Sequence, residues 1–181
     1  TYLYNMVVIN IMRELGYVEG KNLLIEWRSA EGKSERLPAL AAELVNLKFD
    51  VIVVASTPAT GAAQKATTTI PIVMGNTGDP VASGFVKSLA RPGGNITGLS
   101  QMGGGALVPK RLELLLEMAP KVSRVAFLMN PSNSINVISV PFMQAAAQKR
   151  GVTLLRMDAR TPEEIEQAFA SMRQQNGGAL L

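Results

Sequence analysis

The sequence predicts an α/β fold with two lobes, each built on a parallel β-sheet. Strand-like and helix-like segments alternate along the 181 residues, as expected when each strand is followed by a crossover helix. Two short apolar runs, residues 51–55 and 125–129, are typical of parallel strands covered on both faces. Between them, six of the sixteen residues from 91 to 106 are glycine, which indicates a hinge or crossover.

The glycine-rich segment sets the domain boundaries. We assign residues 1–98 to an N-terminal lobe, residues 99–106 to the hinge and residues 107–181 to a C-terminal lobe. In each lobe, the loops that follow the strands are expected to face one crevice, where open α/β sheets bind their ligands.

The first segments of the N-terminal lobe have helix and strand patterns. Apolar residues recur at helical spacing over residues 2–15, and Gly16 is a typical helix stop. Residues 22–28 alternate in polarity, which predicts a strand near a sheet edge. Ser34 is expected to cap a helix over residues 34–48, because a single apolar stripe continues along it.

The strand over residues 51–55 is predicted to turn directly into a helix. Thr57 is expected to be the N-cap of this helix and Pro58 its first residue, where the missing N–H of proline costs nothing. Three shorter elements complete the lobe: a strand over residues 70–74, a helix over residues 83–90 and a strand over residues 96–99.

The C-terminal lobe repeats the alternation of helix and strand. Pro109 is expected to open its first helix, and Pro141 must kink the second helix or mark a later start of it. Thr161 and Glu164 have the spacing of a capping box at the start of a third helix. The predicted strands cover residues 125–129, residues 152–157 and residues 177–181.

Two loops of the N-terminal lobe carry candidate ligand-binding residues. The helix start at Ser56, Thr57 and Pro58 leaves N–H groups and a partial positive charge that can hold a carboxylate or phosphate. In the alternative interpretation, Ser56 and Thr57 only cap the helix. Asp79 can pair with a ligand ammonium group, or it is only a turn residue in Gly-Asp-Pro. A third candidate loop, residues 130–134, comes from the C-terminal lobe.

The composition favours binding over catalysis. The chain has no cysteine and no histidine, which removes thiolate nucleophiles, imidazole bases and the usual zinc ligands. We therefore predict no catalytic residue, no metal site and no cofactor. The net charge is +4, but the basic residues are scattered along the chain, and only three tyrosines and one tryptophan accompany them. The sequence therefore does not indicate a surface for nucleic acid. No apolar run is long enough to span a bilayer, and residues 1–15 lack the pattern of a signal peptide.

Several runs closely resemble the ABC-transporter substrate-binding proteins of the tryptophan/tyrosine-binding type. The resemblance covers essentially the whole chain, and residues 90–98 are its most specific part. The runs are Leu15-Gly-Tyr-Val-Glu-Gly-Lys-Asn22, Arg36-Leu-Pro-Ala-Leu-Ala-Ala-Glu-Leu-Val45, Ala66-Thr-Thr-Thr-Ile-Pro-Ile-Val73, Gly78-Asp-Pro-Val81, Leu89-Ala-Arg-Pro-Gly-Gly-Asn-Ile-Thr-Gly-Leu99 and Lys110-Arg-Leu-Glu-Leu-Leu115.

The resemblance implies a type I periplasmic-binding-protein fold, with two Rossmann-like lobes that close on a small ligand. It implies an amino-acid-like, often aromatic ligand, a membrane ABC permease as partner, and an extracytoplasmic location, either periplasmic or as a membrane-anchored lipoprotein. Carried over by position, the ligand-binding residues are Ser56, Thr57, Pro58, Ala59, Asp79, Asn130, Ser132, Asn133, Ser134 and Asn136.

The chain departs from the family pattern at both ends. Family members carry a leader and a first strand before the helix at residues 2–15, and they continue past residue 181. We therefore expect a fragment with an incomplete fold, whose open sheet edges leave it a monomer or an edge-mediated dimer. Two other functions stay open: the effector-sensing domain of a transcription regulator, which can share this fold, and an α/β enzyme acting on a phosphorylated substrate.

Overall fold

Two three-stranded parallel sheets form the framework of a computed structural model that describes residues 2–101 and 107–181. The first sheet contains β1 (Ile52–Val54), β2 (Ile72–Thr77) and β3 (Ile96–Ser100), in the order β1-β2-β3. The second contains β4 (Arg124–Met129), β5 (Thr153–Asp158) and β6 (Ala179–Leu180), in the order β5-β4-β6. The prediction of a parallel sheet on each side of the glycine-rich segment is confirmed.

Helices alternate with these strands, as the sequence predicts. They are α1 (Tyr2–Glu14), α2 (Leu37–Asn46), α3 (Thr57–Ala66), α4 (Leu107–Met118), α5 (Ser134–Lys149) and α6 (Pro162–Gln174). Of the predicted hinge, Leu99 and Ser100 are the last residues of β3, and residues 102–106 lie outside the described residues. No helix in the described ranges is long and apolar enough to cross a membrane.

The chain divides into two units, Thr1–Glu31 and Gly32–Leu181. In the first unit, α1 ends where predicted, and Gly16 follows it with a left-handed φ of 89°. The strand predicted over residues 22–28 is wrong, since this segment forms only an isolated bridge between Glu19 and Leu23. Alternating polarity produces a strand only where a neighbouring strand supplies hydrogen-bond partners, and no described strand pairs with these residues.

The first sheet buries one of its faces. Ile52, Ile72 and Ile96 lie side by side in register, and all three are buried in the core that α3 and α2 cover. The opposite face is open, with Val53 52% and Leu99 70% exposed. The expectation that the first apolar run is covered on both faces is therefore wrong for β1, which lies at the edge of the described sheet.

The second sheet is covered on both faces, as predicted for residues 125–129. Val125 packs with Leu112 of α4 and Met143 of α5 on one face. Ala126 packs with Ala168 of α6 on the other. Because α4 and α5 cover one face of the sheet and α6 covers the other, successive β4 side chains that point to opposite faces are both buried.

Two local predictions in the N-terminal half are wrong. Ser34 does not cap a helix but begins a 3₁₀ turn, Ser34–Arg36, and α2 starts at Leu37, with proline in its first turn. Proline favours the first helical turn, which places the start later than the Ser34 hydroxyl suggests. Residues 83–90 form a turn followed by bends and irregular chain rather than a helix, because Gly84 adopts a left-handed φ of 73° that interrupts helical geometry.

The three helices predicted in the C-terminal half are present, but Pro109 is the third residue of α4 rather than its first. Helix α5 runs from Ser134 through Pro141 to Lys149, so Pro141 does not mark a later start. The predicted capping box begins α6, where the Thr161 hydroxyl accepts a hydrogen bond from the Glu164 amide at 3.2 Å. The Glu164 carboxylate accepts a hydrogen bond from the Arg160 amide at 2.6 Å. This amide is one residue before the N-cap amide that a capping box uses, so only the Thr161 half of the box is formed as predicted.

Candidate functional site

Ser56 connects β1 to α3 and caps the helix. Its backbone is extended, with φ −165° and ψ 159°, and its hydroxyl accepts a hydrogen bond from the Ala59 amide at 3.2 Å. The prediction that Thr57 is the N-cap is wrong: Thr57 is the first helical residue, and Pro58 follows it. The cap lies one residue earlier because the Thr57 hydroxyl binds another loop.

Thr57 joins the loop after β1 to the loop after β2. Its side chain is buried, and its hydroxyl accepts a hydrogen bond from the Gly78 amide at 3.0 Å. The Gly78 carbonyl accepts a hydrogen bond from the Ser100 hydroxyl at the end of β3, at 2.8 Å. The carboxyl ends of all three strands in the first sheet are therefore tied together at Gly78.

Two buried threonines below this point were not predicted from the sequence. The Thr60 and Thr77 hydroxyls lie 2.8 Å apart, and both residues are 0% exposed. Thr60 donates its hydroxyl hydrogen to the Ser56 carbonyl at 2.9 Å, so Thr77 must donate to Thr60. The sequence did contain one indication of this pair, because Thr77 is a polar residue at the end of an apolar strand.

Asp79 has the turn role that the sequence left as an alternative. Asp79 is only 9% exposed. One of its carboxylate oxygens accepts hydrogen bonds from the amides of Val81 at 3.1 Å and Ala82 at 2.9 Å. The other oxygen accepts from no group within the described part of the chain. The carboxylate thus fixes its own loop with one oxygen and has the second one available.

The loop after β4 is folded by its own asparagines. The Asn130 side chain accepts a hydrogen bond from the Ser132 amide at 2.8 Å, and the Asn130 carbonyl accepts one from the Asn136 side-chain amide at 3.2 Å. Asn133 is the N-cap of α5, which begins at Ser134. These hydrogen bonds therefore hold the loop and the start of α5 together at the carboxyl end of the second sheet.

The loops of the two sheets meet at Gly78. A Cβ atom built on Gly78 would lie 2.7 Å from Ile135 Cγ1 and 3.1 Å from the Thr57 hydroxyl oxygen. Helices α3 and α5 also contact each other. The structure thus brings the α3 start next to the start of α5, while no hydrogen bond or ion pair among the described residues joins Asp79 to residues 130–136.

The shifted carboxyl pKa values lie outside these loops. At the end of β5, Arg156 donates two hydrogen bonds to Asp158, at 2.7 and 2.8 Å, and these lower the pKa of the aspartate. On α4, hydrogen bonds and charge from Lys110 lower the pKa of Glu113, with a smaller effect of Arg150. No group of three or more potential metal ligands occurs among the described side chains. The arrangement suits the binding of a polar ligand by helix starts, hydroxyls and one carboxylate.

A sequence model of the family described as ABC transporter substrate binding protein matches residues 4–181. The chain belongs to this family. The family consists of transport proteins rather than a class of enzymes. A curated relative of this substrate-binding protein is a tyrosine-binding protein of Clostridioides difficile (strain R20291). The two are 33% identical over 164 residues, which are 91% of this chain and 47% of the relative.

Two solved structures share the fold of this substrate-binding protein. One is an ABC domain from Streptococcus pneumonia in complex with L-Trp, with 26% identity and a TM-score of 0.82, covering 94% of this chain and 56% of the other. The second is a ligand-free, open substrate-binding protein with adhesive properties from Clostridium difficile, with 31% identity and a TM-score of 0.56, covering 91% and 55%. The predicted type I periplasmic-binding-protein fold is confirmed. This chain spans about half the length of these relatives.

Proposed function

We propose that this chain is part of the extracytoplasmic solute-binding component of an ABC transporter, which binds a small amino-acid ligand between its two lobes. The family match over residues 4–181 carries this proposal. The names of two relatives support the ligand class, since one is a tyrosine-binding protein and another was solved with L-Trp. Aromatic amino acids are therefore the first ligands to test.

The start of α3 is the proposed site for the ligand carboxylate. In its first turn, Pro58 has no N–H, the Ala59 amide donates to Ser56 and the Thr60 amide donates to the Ser56 carbonyl. The Thr57 amide has no acceptor within the described ranges. An N–H group at a helix start, with the partial positive charge of the helix dipole, is suited to an anion.

Asp79 is the proposed partner of the ligand ammonium group. Asp79 directly follows Gly78, whose amide donates a hydrogen bond to the Thr57 hydroxyl at 3.0 Å. Asp79 is therefore next to a residue that contacts the start of α3, the proposed site for the ligand carboxylate. The Asp79 carboxylate oxygen that accepts no hydrogen bond from the described residues can receive one from an ammonium group, and charged pairs of this kind are the stronger hydrogen bonds. A zwitterion would thus be held at both of its charges by one lobe.

The opposite wall of the cleft is the proposed role of Asn130, Ser132, Asn133, Ser134 and Asn136. We assign residues 1–98 and 107–181 to the two lobes and residues 99–106 to the hinge. The higher TM-score with the L-Trp complex than with the ligand-free, open structure supports a closed arrangement of the described residues. Closing by hinge motion would bring these loops against the ligand.

A membrane ABC permease is the proposed partner, which would receive the ligand outside the cytoplasm. Nucleic acid is not among the proposed partners. The protein would act as a monomer or as a dimer through a sheet edge, and the edge position of β1, which pairs only with β2 among the described strands, supports the second possibility.

Thermal unfolding of the full-length protein with a panel of L-amino acids tests the ligand class. A ligand present at 100 times its Kd stabilises the folded state by about 2.7 kcal/mol, so L-tryptophan, L-tyrosine or L-phenylalanine should raise the Tm by several degrees. Tryptamine and indole-3-propionate, which each lack one charge of the zwitterion, serve as matched controls. No shift with any amino acid of the panel would overturn the proposed ligand class.

A further inference from the structure

We propose that Gly78 and Ile135 contact each other when the cleft closes. Because glycine has no side chain, residue 78 permits this contact and thereby sets the affinity for ligand. The proposal rests on the function proposed above, because it concerns how the same cleft closes. Gly78 follows a strand of the first sheet and Ile135 lies in the first turn of α5, which follows a strand of the second sheet. Their contact therefore joins the two sides.

The space at Gly78 is too small for any side chain. A Cβ atom there would lie 2.7 Å from Ile135 Cγ1 and 3.1 Å from Ile135 Cβ. Interior atoms in proteins are already close-packed, so an added methyl group must displace a neighbour. The displaced neighbour would be Ile135 or Thr57.

The backbone conformation does not explain the glycine. Gly78 is absent from the glycines of the chain that have positive φ, such as Gly84 and Gly98. An alanine at residue 78 would therefore not be placed in the left-handed region that favours glycine. What the glycine provides at this position is room for Ile135.

Gly78 cannot move away from Ile135 without breaking hydrogen bonds. Its amide donates to the buried Thr57 hydroxyl at 3.0 Å, and its carbonyl accepts from the Ser100 hydroxyl at 2.8 Å. Ser100 belongs to β3 of the first sheet, and Thr57 belongs to α3, which follows β1 of the same sheet. The position of residue 78 is thus fixed relative to this side of the cleft.

Ile135 is fixed in the same way on the other side. Its amide donates to the Asn133 side chain at 3.3 Å, and its carbonyl accepts from the buried Ser139 hydroxyl at 2.7 Å. A β-branched side chain in a helix has essentially one χ1 rotamer, so it cannot rotate away. A methyl group at residue 78 would consequently separate the two sides rather than be absorbed by one of them.

The first experiment compares Gly78→Ala with the wild type in the full-length protein, using L-tryptophan as the probe in calorimetric titration. Because the closed state would be disfavoured, affinity should fall roughly 5- to 150-fold, the usual range for an allosteric coupling free energy. Circular dichroism and Tm of the free protein establish that the variant is folded.

Two double variants identify the clashing atom. Gly78→Ala with Ile135→Ala removes the Cγ1 atom that the new methyl group meets, so affinity should recover to within a few-fold of Ile135→Ala alone. Gly78→Ala with Ile135→Val keeps atoms at both γ positions and should not recover. Equal recovery in both, or no recovery in either, would overturn the proposal.

Small-angle X-ray scattering of the ligand-free proteins separates this inference from the proposed function. Gly78→Ala should have a larger radius of gyration than the wild type, and the Ile135→Ala double variant should restore it, whether or not L-tryptophan binds. If the wild type binds no amino acid but this difference appears, only the ligand class is wrong. If Gly78→Ala does not fold, Ile135→Phe enlarges the same contact from α5 and should produce the same opening. A radius of the folded variant equal to that of the wild type both without ligand and at saturating L-tryptophan contradicts the closing contact.

Discussion

The buried hydroxyls of Thr60 and Thr77 lie 2.8 Å apart and fasten α3 to the end of β2. Thr60→Val removes the partner of a fully buried hydroxyl and should lower the free energy of unfolding by about 1–3 kcal/mol. Adding Thr77→Val to that variant also removes the Thr77 hydroxyl, which has lost its partner. The double variant should therefore lose less free energy of unfolding than the two single variants lose in sum. Urea denaturation of the four proteins measures this coupling, and strict additivity would contradict the hydroxyl pair.

Ser56 and Thr161 are side-chain N-caps of two different helices, which makes them a matched pair. Each hydroxyl accepts a hydrogen bond from the amide three residues later, at 3.2 Å. Replacement of either by alanine should cost about 1 kcal/mol of stability. Only Ser56→Ala should also weaken L-tryptophan binding, because only α3 begins at the proposed carboxylate site. Equal effects of both variants on binding would argue against that site.

Asp79→Asn separates the turn role of this residue from its proposed ligand role. The asparagine carbonyl oxygen can still accept hydrogen bonds from the amides of Val81 and Ala82, so the loop and the Tm should change little. Loss of the charge should weaken L-tryptophan binding by roughly tenfold or more, since hydrogen bonds between charged groups contribute about 1.5–3 kcal/mol.

The control for this variant is a ligand without the ammonium group. Indole-3-propionate should bind the wild type and Asp79→Asn with similar affinity in calorimetric titration. A tenfold loss for both ligands would mean that the substitution disturbs the site rather than removing a charge from it.

Asp158 should make stability depend on acid pH. Hydrogen bonds from Arg156 lower its pKa in the folded protein, so its contribution is present above the unfolded pKa of about 3.9 and is lost as pH falls through the folded pKa. The side chains are partly exposed, and the effect at pH 7 should stay below about 1 kcal/mol.

Thermal unfolding of the wild type and Asp158→Asn measures this effect. A pH range of roughly 2 to 7 extends to both sides of the ordinary pKa of an aspartate. The wild type should be slightly more stable at pH 7, and the difference should vanish at the acid end. A difference that persists unchanged at the acid end would show that Asp158 acts through packing rather than through its charge.

Most of the strands and helices could be predicted from the sequence because the information is local. The apolar residues of β4 and the capping box at Thr161 each lie within a few residues. Two failures, the cap at Ser34 and the helix over residues 83–90, had local causes at Pro38 and Gly84. The others came where a distant partner decides the outcome. Residues 22–28 have the pattern of a strand but pair with no described strand, and the apolar run at β1 does not reveal that the strand lies at an edge.

The positions of the candidate loops could be predicted, but their internal contacts could not. The rule that loops follow the carboxyl ends of parallel strands places Ser56, Asp79 and Asn130 at the crevice edge. The Thr57–Gly78 bond spans 21 residues, and the approach of Ile135 to Gly78 links the loops of two different sheets. Side-chain periodicity contains no information about such long-range contacts.

The central position of β4 has a consequence for dynamics. This strand is paired on both of its edges and covered on both of its faces, so its amides open to solvent only in large-scale unfolding. The asparagine turn at residues 130–136 continues directly from this strand. The C-terminal wall of the proposed cleft is therefore attached to the part of the chain that should be slowest in hydrogen exchange, whereas β1, open on one face, should exchange sooner.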